Sequence, residues 1–224
     1  VLTIACARGY LLSSVDDRQA YLLADLPTPQ YMRMPPGLPR YTKDGKVLHL
    51  KLLNSLYGLP TAAKSWADLL ASFMLDWKFT RSTIDVCLFI FAGGAAHGEH
   101  TMSVCVWVDD LVISTSSQEL RDKFVQDLHK RFPVDDKGDL KWILGISVKR
   151  DLSNRTLTLS QEQYTNEVLS KHALHLEGIS RRFDSPMADD KKYSPDQCPA
   201  RESPEWFEMR DKADTYMTLV GAIL

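Results

Sequence analysis

Residues 102–114 read MSVCVWVDDLVIS, an apolar and β-branched run whose only charges are Asp109 and Asp110. Such a run predicts two short buried strands, with the paired acids at the tight turn between them. Adjacent carboxylates beside a core are costly. Desolvation and mutual repulsion drive at least one to hold a proton unless positive charge lies on them. A divalent cation is the simplest partner, because Mg2+ favours carboxylate oxygens together with substrate phosphates. Asp is equally a common turn residue, so a solvated loop pair remains an alternative for the same two letters.

Upstream, a second apolar strand ends in acids. Residues 1–8 (VLTIACAR) read as the end of a helix stopped by Gly9, and residues 10–15 (YLLSSV) as a strand delivering Asp16 and Asp17. Residues 18–26 continue as a short helical or irregular turn. The Pro-rich segment 27–39 must be extended loop or edge structure, since Pro excludes helix and central strand. A turn at Lys43–Lys46 leads into a strand over 47–52. Ala62, Trp66, Leu69, Leu70, Phe73, Met74 and Trp77 recur three and four apart, predicting a helix over 61–77 whose aromatic stripe is core.

Residues 86–91 predict a buried strand, 92–99 a Gly- and Ala-rich loop, and the spacing of Leu120, Phe124 and Leu128 a helix over 118–132. Residues 142–150 and 156–160 should pair as a hairpin across Ser153–Asn154. Ser160 with Gln163 makes a capping box opening a third helix through about His172. The Pro-rich, charged stretch 180–214 reads as a linker or wrap-around segment. Helices interleaved with hairpins, rather than βαβ repeats, favour an α+β fold with helices on one face of a mainly antiparallel sheet.

With 224 residues, 44% of them hydrophobic, the chain can bury a substantial core. A formal net charge of -2 gives no global basic signature, so contact with a polyanion must come from a local cluster or through bound cations. The four cysteines are scattered without a C-x-x-C pair, which argues against a zinc ribbon or a disulfide framework and suits a reducing compartment. No apolar run reaches transmembrane length, so no membrane partner is expected. The chain opens at Val1 in mid-pattern and closes at Leu224 within an apolar segment, so a piece truncated at both ends is expected.

Were the two acid-bearing strands neighbours, Asp16, Asp109 and Asp110 would converge in a way that suits two-metal phosphoryl or nucleotidyl transfer. Side chains alternate along a strand, so Asp109 and Asp110 cannot face the ions equally, and Asp109 is expected to be the nearer. No His or Lys adjoins either acid pair in sequence, which disfavours a metal-dependent phosphohydrolase. His97 with His100 and His172 with His175 have a spacing that can hold zinc but lack Cys partners. Lys130–Arg131, Arg181–Arg182 and Lys191–Lys192 read as solvated charges able to touch phosphate backbone.

An ordered series of segments resembles the reverse transcriptase region of copia-type retrotransposon polyproteins. WVDDLVIS is similar to the family's aromatic-x-Asp-Asp signature, VDDRQAYLLADL to its Asp-x-x-x-Ala-aromatic-Leu segment, and YMRMPPGL to the Pro-Pro-Gly segment that follows. LLNSLYGLPTAAKSW, DVCLFI, GDLKWILGISV, LSQEQY and the terminal YMTLVGAIL occur in the family's order. The resemblance implies a palm with an antiparallel sheet and helices on one face, plus a partial thumb. On that pattern residues 1–132 form the palm-like catalytic region, 133–179 the hairpin and helix leading into the thumb, and 180–224 a linker and the start of the next helical segment.

The same resemblance implies an RNA-directed DNA polymerase, with Asp16, Asp109 and Asp110 as carboxylates that bind two Mg2+ ions, Mn2+ being a possible substitute. Tyr21 would be the gate beneath the incoming sugar, selecting deoxynucleotides by excluding a 2′-hydroxyl, with Ala20 keeping the approach open. Tyr57 and Gly58 would line the nucleotide and template side, and Trp107 would meet the primer end. Implied partners are an RNA or DNA template with its primer, deoxynucleoside triphosphates and the remainder of a polyprotein, in cytoplasmic retrotransposon particles.

The chain departs from the family's pattern in Asp17 for an apolar residue, Leu23–Ala24 for Asn-Gly, Pro60 for Lys, Ala63 for Pro, and Trp107 for Tyr. The family's basic fingers would precede Val1, so this stretch alone is expected to bind triphosphate poorly. The alternative is a decayed or co-opted fragment that at most binds nucleic acid or another protein.

Overall fold

The computed structural model describes residues 1–93, 100–171 and 194–223, which fall into two compact units, Val1–Leu159 and Ser160–Leu224. In the first, a helix α1 (Leu2–Arg8) ends at Gly9, whose φ of 67° supplies the left-handed stop. The chain then enters β1 (Leu11–Asp17), the fifth strand of a six-stranded sheet. Its other members are β4 (Thr80–Arg81), β5 (Leu88–Ala92), β6 (Thr101–Trp107), β7 (Asp110–Thr115) and β8 (Val134–Asp139), in the order β4-β5-β6-β7-β1-β8. Every pairing in it is antiparallel, as the α+β reading expects. A separate short hairpin pairs β2 (Tyr31–Arg33) with β3 (His49–Lys51), so the Pro-rich segment does become edge structure.

Period-two alternation sends Val15 of β1, Val104 of β6, and Leu111 and Ile113 of β7 to one face. There they meet α2 (Ala62–Asp76) and α3 (Gln118–Arg131), which bury Trp66, Leu70, Phe73 and Met74, and Leu120, Phe124 and Leu128, from their apolar stripes. Trp77 stands edge-on to Phe124 at 5.3 Å, so the aromatic stripe is core, as its spacing predicts. Ser117 caps α3 by accepting from the Leu120 N–H at 3.3 Å, and His129, Lys130 and Arg131 complement the dipole in its last turn.

Helices are not confined to one face. On the other side Leu12 and Val112 pack with Ala5 of α1, Leu140 and Val148 in a smaller second core. The reason is sequence alternation itself: Leu12 and Val112 are the apolar residues left on that side, and α1 covers them. A three-stranded sheet, β11-β10-β9, follows, built from β9 (Trp142–Ile143), β10 (Ile146–Asp151) and β11 (Thr156–Ser160). The expected continuous strand 142–150 is broken at Leu144 and Gly145, whose φ values of 50° and 76° make a two-residue hairpin turn.

In the second unit, α4 (Glu162–Lys171) begins where Ser160 Oγ accepts from the Glu162 N–H at 3.2 Å, while the Gln163 amide donates to Glu167 at 2.9 Å. A long helix α5 (Pro204–Ile223) contradicts the linker reading over 204–214. Ser203 accepts from the Trp206 N–H at 3.1 Å and Pro204 takes the first helical position, a start signal hidden in a stretch that composition marks as linker. The Tyr164 hydroxyl donates to the Ala222 carbonyl at 2.7 Å, joining α4 to α5. Residues 180–193 of that linker reading lie outside the described residues, as do His97, His172, His175, Arg181–Arg182 and Lys191–Lys192.

Candidate active site

Antiparallel register brings the two acid-bearing strands together: Asp16 of β1 lies directly across from Asp110 of β7, and Trp107 of β6 lies across from Asp110 on its other side. Residues directly opposite share a face. Since their neighbours Val15 and Leu111 point toward α2 and α3, Asp16, Asp110 and Trp107 belong to the face away from those helices. Register makes Asp110 the cross-strand counterpart of Asp16, while Asp109 sits in the turn, where the strand period does not hold.

That turn has two residues, Val108 and Asp109, and Val108 takes a φ of 57°. A β-branched residue in the left-handed region is strained by about 1–2 kcal/mol. Two hydrogen bonds from opposite sides hold it. The buried Trp66 indole N–H of α2 donates to the Val108 carbonyl at 2.6 Å, and the Asp17 N–H donates to the Asp109 carbonyl at 2.8 Å. Trp66 is itself fixed edge-on against Phe132 at 5.3 Å.

The electrostatics are those of crowded negative charge. Burial pushes the Asp110 carboxyl above the usual carboxylate range, Asp109 and Asp16 push it further, and Lys137 opposes them. Asp17, on the helix face, is only 2% exposed. Burial raises its carboxyl too, the Gln19 N–H at 2.9 Å draws it back, and Asp16 and Asp109 add to the rise. Its second oxygen is buried with no hydrogen-bond partner. The extra acid at 17 thus adds a buried negative charge next to Asp16, on the helix face of the sheet.

Lys137 supplies the local counter-charge, 3.4 Å from Asp16 and 3.8 Å from Asp135. Between β1 and β8 the register jumps from Ser14 opposite Gly138 to Val15 opposite Asp136, so Lys137 is the extra residue of a β-bulge beside Gly138 at φ 69°. Asp135 is tied in turn to Arg18 by a two-pronged ion pair. A cleft of about 370 Å3 opens here, lined among others by Ser14, Asp110, Lys137, Asp139, Lys141 and Trp142. This corrects the sequence argument against hydrolases: a lysine does stand beside the acids, brought there by the bulge from 121 residues beyond Asp16 (137 − 16).

The donor set suits Mg2+ or Mn2+ chemically, being hard carboxylate oxygens carrying more negative charge than one lysine offsets. Among the described residues no three His, Cys, Asp or Glu side chains already form a cage. Mg2+ does not need one, because it commonly takes one or two carboxylates and completes its shell with waters and substrate phosphates.

Tyr21 and Tyr57 come together with ring centroids 4.7 Å apart. Burial raises the Tyr57 hydroxyl, and the charges of Asp109, Asp17 and Asp16 push it the same way. Gly58 follows at φ 92° with open space where a Cβ would stand. Trp107 is 60% exposed and free to meet a ligand. Ala20 does not open onto an approach: it is fully buried in the main core, because the short 3-10 turn Ala20–Leu23 rotates it inward. Lys137 is the residue sequence reasoning missed, and Trp66, read there as core alone, also reaches the Val108 carbonyl. Gly138 was the one available hint of a bulge; the destination of the Trp66 N–H had no local signal.

Residues 1–178 match the family described as Reverse transcriptase (RNA-dependent DNA polymerase). The Retrovirus-related Pol polyprotein from transposon TNT 1-94 of Nicotiana tabacum is 30% identical over 200 residues, covering 89% of this chain and 14% of its own length. For the Retrovirus-related Pol polyprotein from transposon RE1 of Arabidopsis thaliana the identity is 30% over 194 residues, covering 87% and 12%. The Transposon Ty1-NL2 Gag-Pol polyprotein of Saccharomyces cerevisiae is 25% identical over 195 residues, covering 83% and 10%. The chain thus spans at most 14% of the length of these relatives.

Proposed function

Since the chain belongs to the reverse transcriptase (RNA-dependent DNA polymerase) family, as a region of a transposon polyprotein, we propose that its acid-bearing sheet face adds deoxynucleotides to a primer 3′-hydroxyl on an RNA or DNA template. The observation that carries this reading is Asp16 in register with Asp110, with Asp109 in the adjoining turn. Two bound Mg2+ ions, or Mn2+ in their place, would supply activation of the attacking hydroxyl and neutralisation of the triphosphate and leaving pyrophosphate.

Asp16 and Asp110 hold the shared ligand oxygens, and Asp109 contributes from the turn. Tyr21, braced by Tyr57, sets a flat ring beneath the sugar, and a 2′-hydroxyl is refused because there is no room for it. The open backbone at Gly58 lets the template base approach closely. Trp107, on the same face as Asp110, bears on the primer terminus and limits its movement. In this reading residues 1–132 form the palm-like catalytic region, 133–179 with α4 lead into the thumb, and 180–224 carry a linker and the start of the next helical segment, to which α5 belongs.

Primer extension on poly-rA with oligo-dT, dTTP and Mg2+ tests the proposal. Incorporation by the chain extended upstream that Asp110→Asn reduces about a hundred- to a thousandfold supports it, by analogy with the loss of other transition-state contacts. No incorporation even by the chain extended upstream through the basic fingers, or equal incorporation by the Asp110→Asn form of that extended chain, supports the fragment that binds without polymerising.

A further inference from the structure

We propose that Trp66 is a positioning residue for the acidic turn, its indole N–H holding Val108 in a backbone conformation that valine would otherwise leave. The inference rests on the polymerase reading only for its consequence, the placement of Asp109 and Asp110; the holding action itself stands on geometry alone. Three observations meet here. Trp66 is among the largest fully buried side chains, and the destination of its one polar atom is a carbonyl 42 residues away in the turn. Val108 is the turn residue with a φ of 57°, where glycine or asparagine is the usual occupant and a branched side chain resists. The following residue, Asp109, has its carbonyl fixed by Asp17 of β1. The turn is therefore clamped at two successive carbonyls, one from the helix layer and one from the neighbouring strand.

A hydrophobic core does not need this arrangement. Phenylalanine at position 66 would fill most of the same space and keep an edge-on contact with Phe132, whose ring lies 5.3 Å away. What it cannot do is donate a hydrogen bond. If the indole served packing alone, a loss of the N–H would leave the turn where it is. If it opposes the strain at Val108, losing it lets the turn relax away from the left-handed region, and Asp109 and Asp110 move from their places opposite Asp16. Replacing valine by glycine, which enters that region without penalty, should then make the tryptophan dispensable for the turn.

This coupling is measurable in the native 224-residue chain and in Trp66→Phe, Val108→Gly and the double variant. Amide hydrogen exchange across residues 102–114 reads the turn, and Mn2+ titration reads the site, with Asp110→Asn as the control that assigns the bound ion. Trp66→Phe is expected to speed exchange at the turn and weaken Mn2+ about five- to tenfold, the scale of one lost hydrogen bond. In the Val108→Gly background the same substitution should change each less than about twofold. Equal effects of Trp66→Phe in both backgrounds, or unchanged exchange at the turn, overturn the proposal. Faster exchange with unchanged Mn2+ affinity also overturns it, leaving Trp66 a structural residue. Should Asp110→Asn leave Mn2+ binding untouched, the metal reading falls instead, and the exchange cycle still decides whether Trp66 holds the turn.

Discussion

Replacing Arg121 with Met removes a buried guanidinium while keeping most of its apolar stem. Arg121 reaches from α3 to two strands of the sheet: Nε donates to Ser13 Oγ of β1 at 3.1 Å, and the two terminal nitrogens grip the Asp136 carboxylate of β8, one of them at 2.6 Å. A hydrogen bond to a charged group contributes about 1.5–3 kcal/mol. The Asp136 side chain is 39% exposed, so water regains much of what that carboxylate loses, and the lower end applies. Adding part of the bond to buried Ser13 gives a destabilisation of about 2 kcal/mol, or roughly 4–8 °C in Tm for a unit of this size.

Its pH dependence has a fixed sign. Arg121 holds the Asp136 carboxyl below the usual carboxylate range, with the Gly138 N–H assisting. A carboxyl lowered by folding adds stability that is present above its unfolded pKa, near 4, and is lost as pH falls through the lower folded value. The gap between native chain and Arg121→Met should be full at pH 7 and narrow below about pH 4. Urea unfolding of both proteins at pH 7 and pH 3.5 measures it. A gap under about 0.5 kcal/mol at pH 7, the level of an ordinary surface change, or one that does not narrow in acid refutes the reasoning.

Asp17→Asn should stabilise the chain by about 1 kcal/mol in urea melts at pH 7, because it removes a buried charge with an unpartnered oxygen while keeping an acceptor for Gln19. Lys137→Met should tighten Mn2+ about two- to fivefold in a direct titration, since the ammonium beside Asp16 competes for the same oxygens; weaker binding would mean that Lys137 assists the ion. Tyr21→Ala should raise ribonucleotide incorporation relative to deoxynucleotide about tenfold or more in primer extension, by opening the space that the ring fills.

The elements legible in the sequence are those whose side chains repeat with the right period. The β6–β7 hairpin and α2 owe their prediction to apolar residues that the core does bury. β8 was invisible because VDDKGD carries a single apolar residue; it is held by backbone pairing to β1 and by Arg121 and Arg18, partners far away in sequence. The start of α5 at Ser203–Pro204 had a local signal that the surrounding charge and proline obscured. At the site, paired acids and their strands were readable, and the resemblance supplied Tyr21 and Tyr57. The bulge that aims Lys137 and the hydrogen bond from Trp66 to Val108 were not, because both depend on how separate elements pack.

Anomalous diffraction from crystals of the native chain soaked in Mn2+ tests the metal centre most directly. A peak bridging the carboxylates of Asp16 and Asp110 is the predicted result. A peak confined to other acids such as Asp135 or Asp139, with none at Asp16, would contradict it.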